Sequence, residues 1–272
     1  MIRAKKSFGQ HFLADQRACE RIAELSTTPP GGAVVEIGPG TGALTRHLVA
    51  RAARVIALER DRELVPVLAR AFSAELARGQ LTLRETDAAR HPWLDELADA
   101  PRPRVIAGNV PYNITGRLLE RATEVAPHVD RVVFLVQREV AERLISPPDG
   151  DDYGALSVFV QAAFSVELPL RLGPGAFRPP PKVDSAVVVL TPHATPRAEE
   201  TPVFRELVKA AFGQRRKTLR NAWSSVLPRA DLALVATRAG VDLERRGETL
   251  SVEDFARVAS LVDQARASLT AR

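Results

Sequence analysis

A glycine-rich segment is the first group of residues in this chain whose types and spacing could do chemistry. It runs Glu36-Ile-Gly-Pro-Gly-Thr-Gly42, between an apolar run typical of a strand and an amphipathic stretch typical of a helix. Glycines let a backbone turn tightly and approach a ligand, and a helix N-terminus offers unpaired amides. Glu59 ends the next predicted strand, where its carboxylate suits the hydroxyls of a ribose.

The glycine segment alone leaves several functions open. Gly38-x-Gly40-x-x-Ala43 also fits the loose dinucleotide-binding fingerprint, so a nicotinamide dehydrogenase would share both this loop and Glu59. A purely structural turn followed by a surface glutamate would look the same. The segment therefore predicts a nucleotide-like ligand without identifying it.

A second segment, Asn109-Val-Pro-Tyr112, follows the fourth predicted strand and favours methyl transfer to an amine. The exocyclic amine of adenine is a poor nucleophile because its lone pair is delocalised into the ring. The Asn109 amide oxygen and an adjacent main-chain carbonyl could accept its N–H bonds and stabilise the positive charge that develops. Pro111 restricts the local backbone, and Tyr112 offers a stacking face. The alternative is a loop turn that merely contains Asn and Pro.

Short apolar strands alternate with helical stretches through the first two thirds of the chain, which predicts an α/β fold with a parallel sheet covered on both faces. A final hairpin is expected over Val166–Leu172 and Val183–Leu190. We predict a catalytic domain over residues 1–192, a Pro- and Thr-rich linker over 193–202, and a smaller all-helical domain over 203–272.

The net charge of +5 is confined to the last quarter of the chain. Residues 203–272 hold 13 basic and 8 acidic side chains, whereas the first 202 residues hold 25 of each. Four of the basic residues, Arg215, Arg216, Lys217 and Arg220, cluster within six positions and without a nearby acid in the sequence. Such a cluster costs repulsion on a helix unless phosphates relieve it, so it predicts RNA binding; a solvated helix face is the alternative.

Composition excludes several classes of protein. Cys19 is the single cysteine, which excludes an internal disulfide framework and a multi-cysteine zinc site, and the five histidines form no metal-binding pair. We therefore expect no metal. Apolar stretches are far shorter than the ~20 residues of a membrane span, and the N-terminal residues lack an apolar signal core. We expect a cytoplasmic protein with no membrane partner.

Six ordered blocks make the chain resemble the ribosomal RNA adenine N6-dimethyltransferases. They span nearly its whole length and are Lys5–Leu13, Glu36–Gly42, Asn109–Tyr112, Tyr153–Val158, Phe177–Ser185 and Gln214–Asn221. The resemblance implies the Rossmann-like sheet of class I S-adenosylmethionine-dependent methyltransferases, with a smaller helical C-terminal domain. It also implies S-adenosylmethionine as the cofactor.

The resemblance further implies individual roles. Asn109, Pro111, Tyr112 and Phe177 would form the catalytic site, in which Tyr112 and Phe177 sandwich an adenine extruded from its stack. The alternative for Phe177 is packing in the core below the hairpin. The cofactor would be bound by His11, Leu13, Gly38, Gly40, Glu59, Asp87 and Asn109. Asp87 would accept a hydrogen bond from the cofactor's adenine amine. His11 departs from the more usual Asn of the family, and Trp223 replaces a smaller aliphatic residue; we expect Trp223 to be a core residue.

The implied reaction is dimethylation of two adjacent adenosines near the 3′ end of 16S rRNA, within the small ribosomal subunit or its precursor, by a monomer. Two rival functions remain besides the dehydrogenase. One is a large-subunit rRNA adenine N6-methyltransferase that confers antibiotic resistance. The other is a mainly non-catalytic RNA-binding factor of ribosome assembly.

Overall fold

The structure is a computed structural model that describes residues 5, 9–213 and 216–270. Two compact units divide the chain. The first comprises residues 1–141 and 166–192, and the second comprises residues 142–165 and 193–272. Residues 142–165 lie within the predicted catalytic domain 1–192 but fall in the second unit. The reason lies in packing, because Tyr153 and Phe159 are buried in the core of the second unit.

A seven-stranded sheet forms the centre of the first unit, in the order β4-β3-β2-β5-β6-β9-β7. Neighbours from β4 to β6 run parallel, and β9 runs antiparallel to β6. Every residue of β2 is buried, as expected for a strand covered on both faces. In chain order the strands are β2 (Ala33–Ile37), β3 (Arg54–Glu59), β4 (Leu81–Glu85), β5 (Arg104–Asn109), β6 (Arg131–Gln137), β7 (Phe164–Leu172) and β9 (Ser185–Pro192).

Helices of the first unit follow the predicted pattern but are shorter. Asp15 caps the first helix by accepting a hydrogen bond from the Ala18 N–H at 3.1 Å. The helical stretch between β3 and β4 is interrupted at Phe72, whose backbone is not helical. The helices are α1 (Gln16–Ser26), α2 (Ala43–Val49), α3 (Val65–Ala71), α4 (Ser73–Ala77), α5 (Trp93–Leu97), α6 (Thr115–Glu124) and α7 (Arg138–Ile145), the last of which continues into the second unit.

A separate two-stranded sheet joins the N-terminal segment to a late part of the same unit. Strand β1 (Phe12–Leu13) pairs antiparallel with β8 (Phe177–Arg178), and Leu13 lies opposite Phe177. Ala14 and Asp15 extend this connection, because both N–H groups donate to the Ala176 carbonyl. Residues 12–15 are therefore held by β8 and by the Ala176 carbonyl. The Phe12 ring lies beside Gly40 of the glycine-rich loop.

The second unit is built from helices around its own apolar core. Its helices beyond α7 are α8 (Ala155–Ala163), α9 (Pro202–Gly213), α10 (Leu219–Ala222), α11 (Arg229–Ala239) and α12 (Val252–Thr270). Trp223 is fully buried among them, and its indole N–H donates to the Leu207 carbonyl at 2.9 Å. Ser251 and Asp254 cap α12 reciprocally, because each backbone N–H donates to the side chain of the other residue.

No helix in the part of the chain that the structure describes combines the length and the hydropathy of a bilayer-crossing segment.

Gly42 provides a test of how the glycine-rich loop is packed. Its φ is +82°, and a Cβ there would lie 2.6 Å from the Phe72 ring, whereas Gly79 has a φ of +70° with open space around it. Both alanine substitutions carry the cost of a left-handed residue, about 1–2 kcal/mol. We expect Gly42→Ala to lower the free energy of unfolding in urea by at least ~1 kcal/mol more than Gly79→Ala. Equal losses would contradict this packing.

Candidate active site

The loops that follow β2, β3, β4 and β5 meet at one edge of the sheet, where ligands of such folds bind. Together with residues 9–12 they line a cavity that is open to solvent. Eight predicted site residues line it: His11, Gly38, Gly40, Glu59, Asp87, Asn109, Pro111 and Tyr112. Leu13 lies in an adjoining cleft beside the glycine-rich loop.

The glycine-rich loop needs glycine at two positions that line the cavity. Gly38 and Gly40 have φ values of +65° and +60°, and a Cβ on Gly40 would press on the Phe12 ring at 3.0 Å. The carboxylate of Glu59 holds this loop in place. One of its oxygens accepts the Gly40 N–H at 3.0 Å, and the other accepts the Asp61 N–H at 2.7 Å. Burial raises the pKa of Glu59, and these two N–H groups oppose the shift.

Glu36 was part of the predicted loop, but no role was predicted for its side chain. It is 1% exposed and lines the cleft beside Gly38 and Thr41. Its Oε2 has no hydrogen-bond partner in the part of the chain that the structure describes. Burial raises the pKa of Glu36 to about 8, against a smaller opposing effect of the Thr45 hydroxyl. The cleft thus contains a buried acid that a cationic ligand group would satisfy.

Asp87 lies on the cavity wall after β4. Its Oδ1 accepts the Ala89 N–H at 3.0 Å, and its Oδ2 lies 3.5 Å from the Arg60 guanidinium. The neighbouring Ala88 N–H donates to no acceptor among the described residues. A carboxylate and an N–H donor on successive residues form an acceptor–donor pair, which complements the N6 amine and N1 of adenine.

Asn109 ends β5 and is held by the N-terminal segment. Its Nδ2 donates to the His11 carbonyl at 2.8 Å, which leaves Oδ1 as an acceptor. The Val110 carbonyl accepts no hydrogen bond from any described residue, whereas the Pro111 carbonyl accepts the Thr115 hydroxyl and the Ile114 N–H. Of these two carbonyls next to Asn109, that of Val110 can therefore accept a hydrogen bond from a ligand without losing a bond to a described residue.

Tyr112 has one side of its ring against the His11 imidazole. The ring centroids are 5.6 Å apart and the planes are inclined by 25°. The Tyr112 hydroxyl shares a 2.8 Å hydrogen bond with the fully buried Ser185, and the His11 Nδ1 lies 2.9 Å from the Pro179 carbonyl. Burial raises the pKa of Tyr112, and the Ser185 hydroxyl opposes that shift.

Phe177 is not part of the cavity wall. Its side chain is fully buried in the apolar core of the first unit, whereas the next residue, Arg178, is exposed. Successive residues of a strand point to opposite faces, so β8 directs Phe177 inward and Arg178 outward. The predicted slot between Tyr112 and Phe177 is thus not formed by these positions, and the ring against Tyr112 is that of His11.

Asp61 helps to hold the N-terminal residues at the site, although it was not among the predicted residues. It is 3% exposed and accepts hydrogen bonds from Lys5 Nζ at 2.7 Å and Gln10 Nε2 at 3.1 Å. Its pKa is lowered; burial would raise it, but the bonds from Lys5, Glu63 N–H and Gln10 outweigh that effect. The only signal in the sequence is the spacing Glu59-x-Asp61 directly after a strand.

The predicted RNA-binding cluster belongs to the second unit. Arg215 lies outside the described residues, while Arg216 and Lys217 are exposed. Arg220 forms an ion pair with Glu244 at 2.7 Å, so the fold gives this residue an acidic partner although none is near it in the sequence. The acid comes from a segment 24 positions later, which local sequence spacing does not show.

Two further arginines of the second unit differ in the same way: Arg205 forms an ion pair with Glu200, whereas Arg246 is exposed.

Among the residues that the structure describes, no group of three or more His, Cys, Asp or Glu side chains is arranged to hold a metal ion.

Comparison with known proteins separates the possible meanings of the glycine-rich loop. Residues 1–264 match the family model described as ribosomal RNA adenine dimethylase. The chain belongs to this family. As a ribosomal RNA adenine dimethylase it is an S-adenosylmethionine-dependent enzyme, and the dehydrogenase alternative is set aside. Its sheet is that of the class I methyltransferases, as predicted.

Curated relatives carry the name ribosomal RNA small subunit methyltransferase A. The protein from Anaeromyxobacter sp. (strain K) is 46% identical over 267 residues, which cover 94% of this chain and 92% of the relative. The protein from Pseudomonas aeruginosa is 40% identical over 260 residues, which cover 95% and 94%.

Two solved structures resemble this dimethylase over 93% of its chain. A dimethyladenosine transferase from Plasmodium falciparum has a TM-score of 0.77 at 23% identity, with 98% of its own chain covered. The 23S rRNA methyltransferase ErmE has a TM-score of 0.66 at 26% identity, with 100% covered.

The buried Glu36 predicts a pH-dependent stability of the ligand-free protein. A glutamate with a pKa of about 8 when folded and about 4.3 when unfolded keeps an extra proton in the folded state between these values. Its contribution is complete below the unfolded pKa and is lost as pH rises to about 8, by up to about 1.4 kcal/mol per pH unit.

We expect Glu36→Gln to remove this slope in urea unfolding measured between about pH 5 and pH 8. The raised pKa of Glu59 acts in both proteins and therefore cancels in their difference. Parallel stability profiles for the two proteins would show that Glu36 is ionised in the folded state.

Proposed function

We propose that this enzyme dimethylates N6 of two adjacent adenosines near the 3′ end of small-subunit (16S) rRNA, acting as a cytoplasmic monomer on the small ribosomal subunit or its precursor. The proposal is supported by relatives at 40–46% identity that are named for the small subunit. The observation that carries it is the Asn109 amide, anchored through Nδ2 with Oδ1 left as an acceptor on the cavity wall.

The cavity fits S-adenosylmethionine in its charges and hydrogen-bonding groups. The unpartnered buried Oε2 of Glu36 suits the ammonium of the methionine part. Each oxygen of Glu59 already accepts an N–H, but a carboxylate has about four acceptor sites and can also accept the ribose hydroxyls. Asp87 and the Ala88 N–H would bind the adenine edge.

The cofactor, when bound, supplies a methyl group activated by its sulfonium centre. The protein's contribution is orientation and electrostatics. Asn109 Oδ1 and the Val110 carbonyl would accept the two N–H groups of the target amine and direct its lone pair away from the ring. Tyr112 would stack on the extruded base, which offsets part of the unstacking cost by ~1–3 kcal/mol. No described side chain is required as a strong base, since the proton can leave after transfer.

His11 would affect the binding of both the cofactor and the target adenine. Its carbonyl fixes the Asn109 amide, and its ring covers Tyr112. We propose that Leu13, Gly38 and Gly40 shape the methionine side of the cavity. Phe177 would act from the core, by supporting Leu13 across the β1–β8 pair.

The exposed cations of the second unit are proposed to bind rRNA phosphates, which carry no sequence information but set affinity and orientation. Arg216 and Lys217 are exposed, and Arg215 and Arg220 complete the set proposed from the sequence. Because Arg220 is paired with Glu244, its contribution would be smaller than theirs.

Asn109→Ala is expected to reduce methyl transfer by at least ~100-fold, because it removes a preorganised acceptor of the developing charge. The measurement is transfer of labelled methyl groups to unmethylated small subunits, followed by mapping of the modified nucleotides. Cofactor affinity of the variant, measured by calorimetry, separates lost binding from lost chemistry.

Label that reaches RNA equally well with the Asn109 variant would refute this site. Label on large-subunit rRNA would instead favour the activity named for ErmE. If subunit maturation in cells survives Asn109→Ala but not charge reversal in the basic cluster, assembly is the main role and methylation is incidental.

Charge reversal at Arg216 and Lys217 is expected to weaken RNA binding about tenfold or more per residue at low salt, and to flatten the fall of affinity with salt concentration. Arg229→Glu is the matched control, because Arg229 is an exposed arginine of the same unit and suffers the same charge change. Equal losses from Arg216→Glu and Arg229→Glu would mean that only net charge matters.

A further inference from the structure

Arg121 links α6 to the loop that carries Asp87. Its Nη1 donates to the Ala88 carbonyl at 3.0 Å, and its Nη2 donates to the His91 carbonyl at 2.7 Å. The guanidinium also lies 4.7 Å from the centre of the Trp93 ring. A planar fork that donates to two carbonyls while stacking on an indole fixes their relative position.

The Ala88 carbonyl is held by a second donor as well. The indole N–H of the fully buried Trp93 reaches it at 2.9 Å. Two donors on one carbonyl leave the Ala88–Ala89 peptide little freedom to rotate. The N–H of that same peptide plane, on Ala89, donates to Asp87 Oδ1 at 3.0 Å, so the orientation of the peptide sets the orientation of the carboxylate.

The contacts of Arg121 are additional to the hydrogen bonds that close the loop itself. The loop is already closed by the Arg90 and His91 N–H groups, which both donate to the Asp87 carbonyl at 2.8 and 2.9 Å. The contacts of Arg121 are added on the Ala88 side, directly next to the cavity wall formed by Asp87 and Ala88.

We propose that Arg121 is a positioning residue for recognition of the cofactor's adenine edge. It acts through the Ala88 carbonyl to align the Asp87 carboxylate and the Ala88 N–H with the amine and N1 of the ring. The inference rests on the proposed role of Asp87 and adds a specificity function to a residue that does not line the cavity.

The test compares S-adenosylhomocysteine with S-inosylhomocysteine, in which a carbonyl replaces the amine and N1 carries a proton. The wild-type chain is expected to bind the adenosyl compound at least about tenfold more tightly, because the inosyl edge opposes both the carboxylate and the N–H. Arg121→Met keeps an apolar stem but removes both donors. Its ratio of the two dissociation constants is expected to fall to about threefold or less.

Arg117→Met is the matched control, since Arg117 is exposed one turn earlier on the same helix. It should keep the wild-type ratio. In steady-state kinetics Arg121→Met should raise the KM for S-adenosylmethionine and leave the KM for RNA and kcat close to wild type. Where Arg121→Met does not fold, Arg121→Lys replaces it: one ammonium cannot bridge both carbonyls, so its ratio should still fall at least about threefold.

The outcomes distinguish the proposed role of Asp87 from the proposed role of Arg121. A wild-type protein that binds both compounds equally would refute the adenine role of Asp87 and the proposal with it. A wild-type protein that discriminates, together with an Arg121 variant that keeps the ratio while binding both compounds more weakly, would show that Arg121 only stabilises the fold and would overturn this inference alone.

Discussion

The active site of this dimethylase depends on one buried carboxylate, that of Glu59. It accepts N–H groups from the glycine-rich loop after β2 and from Asp61 in the loop after β3. Asp61 in turn binds Lys5 and Gln10, so the same chain of bonds reaches the N-terminal segment. Three separate parts of the sequence are thereby held around one cavity. Burial raises the pKa of Glu59, and the N–H groups of Asp61 and Gly40 that the carboxylate accepts partly oppose this shift.

Motifs on single strands and loops could be predicted because their meaning is local. The apolar runs that became β2 to β6 are short, are separated by helices and end at one edge of the sheet, so the cluster of Gly38, Glu59, Asp87 and Asn109 follows from the order of the strands. What the sequence could not show is pairing between distant segments. The burial of Phe177 depends on which face of β8 meets the core, and the partner of Arg220 depends on a turn 24 residues away.

The same reasoning explains the difference in domain bounds. Residues 142–165 contain the end of α7 and the whole of α8, and the apolar pattern of a helix does not specify which core the helix joins. Tyr153 donates from its hydroxyl to the Leu250 carbonyl at 3.0 Å within the second unit, almost a hundred positions along the chain. The helical unit is therefore made of two stretches of sequence, with the final strands of the sheet between them. The positive charge excess of residues 203–272 therefore lies in the second unit. The two stretches of that unit are separated in the sequence by residues 166–192, which belong to the first unit.

Pairing of β1 with β8 has a consequence for how the enzyme is made. Phe12 is synthesised 166 positions before Arg178, its partner in β8, so this wall of the cavity cannot close until the chain between them has been made. Until then the glycine-rich loop lacks the ring of Phe12 that packs beside Gly40. A nascent chain thus acquires its complete binding cavity late, and Phe12 and Leu13 lack their partner strand until β8 has been synthesised.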